Sequence, residues 1–130
     1  MAKTPVKFEA DGIKEREVLK IEYTFEQATD REGQMSGIPR GGKLIIKTKA
    51  LNDGTPDLLA WMLEKSQPKN GTITFNETKT NKVMKTIKFT NGYCVDYQER
   101  WADKEQHYEL FVITCKNIEF GNAKFENEWA

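Results

Sequence analysis

The sequence predicts a mainly β protein: an antiparallel β-barrel built as two packed sheets, with one flanking α-helix and a long extended loop. Three observations carry that expectation. Apolar and polar residues alternate at a period of two through most of the chain, the period becomes helical only over about residues 56–65, and a polar, glycine-punctuated run at 28–42 separates two strand-like segments. A single domain spanning 1–130 is expected, because 130 residues can bury one core without disulfide staples.

Residues 7–10 read as a short strand reversed by Asp11-Gly12, a dipeptide suited to the positive φ of a tight hairpin. Residues 17–27 follow, with Leu19, Ile21, Tyr23 and Phe25 on one face and Lys20, Glu22, Thr24 and Glu26 on the other. Beyond the long loop, residues 43–51 set Leu44 and Ile46 inward against Lys47 and Lys49 outward. Ile45 interrupts the alternation, which implies cover on both faces of part of that strand.

Thr55-Pro56-Asp57 reads as a helix start: a hydroxyl cap, a proline at the first helical position and a carboxylate near the positive end of the dipole. Leu58, Leu59, Trp61, Met62 and Leu63 then give about two turns, too apolar to stand free of the sheet. Pro68 and an Asn70-Gly71 turn lead into a strand at 72–76, and 78–81 reverse the chain into 83–89. Residues 92–101 put Tyr93, Val95, Tyr97 and Trp101 on one face and Cys94, Asp96, Gln98 and Arg100 on the other. After a turn at 102–106, a strand at 107–120 returns. A register opposing Tyr97 to Phe111 and Tyr93 to Cys115 pools the apolar side chains and turns Cys94 away from Cys115, so no disulfide is expected between them. Seven strands and one helix result.

The run at 28–42 is too long for an ordinary connection between strands, and excursions of that length are normally functional or disordered. Met35 and Ile38 are apolar side chains that a solvated loop does not need, Pro39 stiffens the run, and Gly41 and Gly42 return the chain to the sheet. The expectation is a docking arm that another protein chain covers. Arg31, Gln34, Met35, Ile38, Pro39, Arg40, Gly41 and Gly42 are its candidate interface residues.

Charge and motif content exclude several function classes. Lys plus Arg and Asp plus Glu both number 20, so the whole-molecule field gives no reason to expect nucleic acid or an anionic membrane as partner. Residues 1–90 carry 16 basic and 12 acidic side chains and residues 91–130 carry 4 and 8, a segregation that suits head-to-tail contact between identical subunits, although an uneven solvated surface is its commoner explanation. The opening MAKTPVKFEADG has no apolar core of a signal peptide, and the apolar run at 58–63 is far too short to span a bilayer, so the expected origin is the cytosol, with Cys94 and Cys115 as reduced thiols. Asn70-Gly71-Thr72 and Asn76-Glu77-Thr78 then serve as turn residues rather than glycosylation acceptors.

His107 is the sole histidine, and neither cysteine has a local signature of a Cys/His nucleophile. Two lone cysteines and one histidine give no zinc-ligand spacing, and Gly33, Gly41 and Gly42 form no phosphate-binding loop. Glu99, Asp103 and Glu105 crowd one hairpin end among Arg100 and Lys104, where solvated charges rather than an acid/base pair are expected. Lys43, Lys47, Lys49, Lys82, Lys85 and Lys88 read as strand-face lysines that keep the sheet soluble. No catalytic residue, cofactor or metal site is expected.

The order of these features resembles a known family. A strand with an Asp-Gly turn, a long strand ending in Glu26-Gln27, an arm closing on Arg40-Gly41-Gly42, the helix Leu58-Leu59-Ala60-Trp61-Met62, and then Phe89-Thr90-Asn91-Gly92-Tyr93, Val95-Asp96-Tyr97, Ile118-Glu119-Phe120-Gly121 and Asn127-Glu128-Trp129 resemble the Hcp (haemolysin-coregulated protein) tube subunit of the type VI secretion system, in its compact branch. The resemblance implies hexameric rings that stack into an inner tube. A contractile sheath, with tip and baseplate proteins, drives that tube out of a Gram-negative cell with effector toxins in or on it. It also implies that the protein is made in the cytoplasm and leaves through the machine without a signal peptide, and that the arm reaches neighbouring subunits in the stack. A phage-type tail tube protein shares the architecture, and a monomeric barrel holding a small apolar ligand among its aromatic side chains is the alternative of another class.

Overall fold

The computed structural model describes residues 6–26, 31–32, 40–51, 53–64, 67–76 and 82–126. Seven strands and one helix follow in chain order: β1 (Val6–Ala10), β2 (Ile13–Glu26), β3 (Arg40–Lys49), α1 (Asp57–Leu63), β4 (Lys69–Asn76), β5 (Val83–Arg100), β6 (Tyr108–Phe120) and β7 (Ala123–Glu126). All pairings are antiparallel in the order β3-β2-β1-β4-β5-β6-β7, and a further pairing of β3 with β6 closes six strands into a barrel. The far edge of β6 is shared: β3 takes Tyr108 to Thr114, and β7 takes Asn117 to Phe120.

Inward side chains fill the barrel. Phe8, Leu44, Ile46, Ile73, Ile87, Phe111, Ile113 and Ile118 have no exposed surface. Phe8 meets Phe111 edge-on at 5.2 Å between ring centroids and stacks beside Phe89 at 6.3 Å. Helix α1 buries Leu58 and Trp61, lies mainly on β5 and touches β2. It covers the side where β5 runs on past Gly92, opposite the first residue of β4.

Bulges account for most departures from the sequence expectation. A one-residue irregularity between Val18 and Lys20 throws Leu19 outward, so Val18 is buried ahead of it and Ile21 and Tyr23 pack on the core behind it. A second, between Cys94 and Asp96, leaves Val95 as the extra residue. Tyr97 therefore opposes Phe111 as expected, whereas Tyr93 opposes Thr114 and Gly92 takes the place opposite Cys115. Cys94 consequently faces inward like Cys115; both are buried, free thiols. Trp101 lies beyond the strand and is 68% exposed rather than packed beside Tyr97.

Other boundaries move for local reasons. Strand β2 starts at Ile13, directly after Gly12 at φ +72°. Asn70-Gly71 is strand rather than turn, since a Cβ at Gly71 would lie 2.6 Å from the Glu9 carbonyl oxygen; the glycine permits β1 and β4 to approach. Strand β5 runs unbroken through Asn91, which takes φ +52° in place of a turn. Pro56, not Thr55, occupies the N-cap of α1, with no side-chain capping bond because a proline ring has no acceptor; Asp57, the first helical residue, accepts from the Leu58 and Lys14 amides and from Arg16. Strand β7 was not expected, and Ile45 is 37% exposed in the single chain rather than covered on both faces.

Candidate functional site

The strands run between two chemically different ends. At one end β2 finishes at Glu26 and β3 begins at Arg40; this is the root of the arm. The arm is shorter than the sequence suggested, because Arg40 and Gly41 pair with Glu26 and Phe25 and only Gly42 is left as the extra residue of a bulge. Arg31 lies in an exposed turn. Gln34, Met35, Ile38 and Pro39 lie outside the described residues.

Beside this root, rings gather from distant parts of the chain. Tyr23 and Phe120 lie 4.9 Å apart, Phe25 and Phe120 5.8 Å, and Phe25 and Phe125 4.7 Å. Lys85 donates to the Tyr23 hydroxyl at 2.7 Å and sits within 5.4–6.0 Å of the Tyr23, Phe75 and Phe120 rings. An adjoining cleft of about 580 Å³ is lined by Lys85, Glu119, Phe120 and the exposed Val83 and Met84.

The opposite end carries α1 and the β5–β6 hairpin. A cleft of about 460 Å³ opens there between Leu51, Pro56 and Leu59 on one side and Tyr97, Glu99, Trp101, His107 and Glu109 on the other. Its floor is a buried charge network. Arg16, fully buried, donates through Nε to Glu109 Oε1 at 2.8 Å and through Nη2 to Asp57 Oδ1 at 2.6 Å. The Tyr97 hydroxyl donates to Glu109 Oε2 at 2.6 Å. Burial opposes the charge on Arg16, but its hydrogen bonds to Asp57 and Glu109 outweigh that and raise its pKa further. Burial likewise works to raise Asp57, yet the bond from Arg16 and the Lys14 amide hold it below the usual carboxylate range. Burial and the Glu109 carboxylate push the Tyr97 phenol well above its ordinary value, which keeps it protonated.

This end does place a cleft beside His107, whose Nε2 lies 2.6 Å from Glu99 Oε2. The second carboxylate lining this cleft is Glu109, which is held by Arg16 and Tyr97, whereas Asp103 and Glu105 stay exposed on the turn. Tyr97 is held protonated, and burial pushes Cys94, away from this cleft, to about 11 and Cys115 to about 12. Among the described residues no group of three His, Cys, Asp or Glu side chains could hold a metal ion, and no helix is long and apolar enough to cross a membrane. The strand lysines split between β3 and β5, which β6 separates, and Lys47 and Lys49 are engaged by the Tyr108 ring and Glu17.

Residues 2–130 match the profile of the family described as Hemolysin coregulated protein Hcp (TssD). The chain belongs to the Hcp (TssD) family. These are type VI secretion tube subunits, and the sequence-based recognition of the family and of its barrel is borne out. Hcp1 from Flavobacterium johnsoniae is 30% identical, with a TM-score of 0.85 over 94% of this chain and 98% of that one. The Hcp1 protein of the E. coli EAEC 042 pathovar shares the fold at 16% identity and a TM-score of 0.76, covering 98% of this chain and all of that one. A chain in the anti-feeding prophage baseplate shares it at 15% identity and a TM-score of 0.60, over 88% of this chain and 89% of that one. No curated protein matches the chain.

Proposed function

We propose that this Hcp chain forms hexameric rings that stack into the expelled inner tube of a type VI secretion system, carrying effector proteins in the lumen. On this reading it is made in the cytoplasm, engages sheath, tip and baseplate proteins, and leaves through the machine without a signal peptide. The observation that carries it is a barrel with a filled interior and two unlike ends, the geometry that heterologous, repeating contacts require. Met35 and Ile38 on the arm insert into the adjacent ring, with Arg31 and Arg40 pairing charges there. A small-ligand carrier is disfavoured, because Phe8, Phe111 and the inward isoleucines occupy the axis where a ligand would sit. The phage-type tube shares the fold, as the prophage baseplate chain does, and a neighbouring gene for a type VI membrane complex separates the two.

Native mass spectrometry of the purified chain across salt concentrations should give six times the 15.0 kDa subunit mass. Replacing both Met35 and Ile38 by aspartate should keep that mass and abolish secretion. A monomer under all conditions refutes the ring, and normal secretion of the variant refutes the role of the arm.

A further inference from the structure

We propose that the cleft at the helix end is a binding site for a primary alkylammonium ligand, a protonated amine on an aliphatic stem. Tyr97, Glu99 and Trp101 follow one another at every second residue along the end of β5 and its exit, so their side chains fall on one side and line the cleft together, across from Leu51, Pro56 and Leu59. The Tyr97 hydroxyl lies 2.6 Å from Glu109 Oε2 and 3.4 Å from Glu99 Oε1. A phenol has one proton, and the short contact takes it. Tyr97 Oη and Glu99 Oε1 are therefore left side by side as two acceptors with no hydrogen between them, an arrangement that a donor from outside the chain satisfies.

The surrounding groups select the kind of donor. Among the described residues lining the cleft, His107 spends Nε2 on Glu99 Oε2 at 2.6 Å, the Thr55 hydroxyl is bonded to Asp53, and Glu109 is filled by Arg16 and Tyr97. An anion would meet these carboxylates, while the Arg16 guanidinium beneath them is fully buried and shared between Glu109 and Asp57. A hard metal ion needs more oxygens than the described residues bring together. Because His107 takes Oε2, Glu99 offers a single carboxylate oxygen, which suits the compact charge of an ammonium group and denies a guanidinium its two-pronged contact. The stem has apolar cover: Leu59 is 38% exposed and Trp101 68%, and the face of an indole attracts a cation besides. At about 460 Å³ the cleft has the size of a small-molecule site.

The test is ligand-observed saturation-transfer NMR on the full-length chain, with n-pentylammonium, n-butylguanidinium and 1-pentanol as probes. Pentylammonium should bind with a Kd of about 1 mM and roughly fivefold more tightly than either of the others. Glu99→Gln should weaken it about tenfold and Trp101→Ala about threefold. Both side chains are half exposed or more, so the variants should fold, which thermal unfolding checks. Glu105→Gln, on the exposed turn, should leave the affinity unchanged. Equal binding of the guanidinium overturns the single-oxygen geometry, and equal binding of pentanol reduces the cleft to an apolar patch and overturns the site. So does an absence of saturable binding, or a Glu99→Gln variant that binds as the wild type does. Nα-acetyl-lysine methylamide, as a fourth probe, separates the two sources of such a group: tighter binding than pentylammonium assigns the site to a lysine of another polypeptide, and weaker binding assigns it to a free amine.

Discussion

Replacing Arg16 by methionine probes the network on which the helix end depends. The side chain is completely buried, and its carboxylate partners Asp57 and Glu109 are only 11% and 6% exposed, so the substitution leaves two carboxylates and the Lys14 carbonyl without their donor. Breaking a buried ion pair from one side typically costs ~3–5 kcal/mol, because the remaining charge is stranded rather than because the pair itself is worth so much. In a domain of this size that corresponds to a fall in Tm of roughly 10–20 °C. Thermal and urea unfolding should be followed on dissociated subunits, since assembly adds its own stability. The control is Lys14→Met, which removes the exposed bond to Asp53 and should change Tm by only about 2 °C. The pH dependence gives a second readout. In the wild type Asp57 sits below its ordinary value of 3.8, so its contribution is complete above that value and is lost as the pH falls through the lower, folded one. In the variant the unpaired carboxylates favour protonation, so stability should rise between about pH 7 and about pH 5. A variant that melts within about 2 °C of wild type would refute the reasoning and show that the network is not a stabilising necessity.

Gly71→Ala places a methyl group against the Glu9 carbonyl and the Phe89 ring, and should cost at least ~2 kcal/mol, read as a lower urea midpoint, whereas alanine at the exposed, unconfined Gly121 should cost about 1 kcal/mol for its positive φ alone. Cys94 and Cys115, buried and shifted to about 11 and about 12, should resist a thiol-reactive dye at about pH 8 until denaturant is added, and rapid labelling of the native protein would contradict their placement.

Much of the fold was legible because its signals are local. Alternation through residues 43–49 and 107–120, the Asp11-Gly12 hairpin and the apolar helix needed no tertiary information. The errors came from bulges. Nothing in the sequence around Val95 announces an extra residue, yet it reverses which face Cys94 presents, because the side-chain period of a strand is two. The Arg16–Asp57–Glu109 network was invisible for another reason: its members lie up to 93 residues apart, and none of them, read alone, signals a buried partner. The arm was recognisable by its length, and the start of β3 at Arg40 was obscured because Gly41 and Gly42 resemble loop residues while one of them serves as a bulge.

The seating of the arm in two paired strands decides how the subunit bears a pull. Glu26 and Arg40 continue directly into β2 and β3, whose mutual hydrogen bonds lie crosswise to the strand axis, and β3 is bonded along its other side to β6 from Lys43 to Lys49. Tension entering through the arm draws β2 and β3 together, so it is taken up by the ladders on their outer sides, β3 with β6 and β2 with β1, and loads those in shear. The rungs must yield together rather than unzip in turn, so a pull on the arm is resisted by the barrel and not by the arm's own hairpin alone.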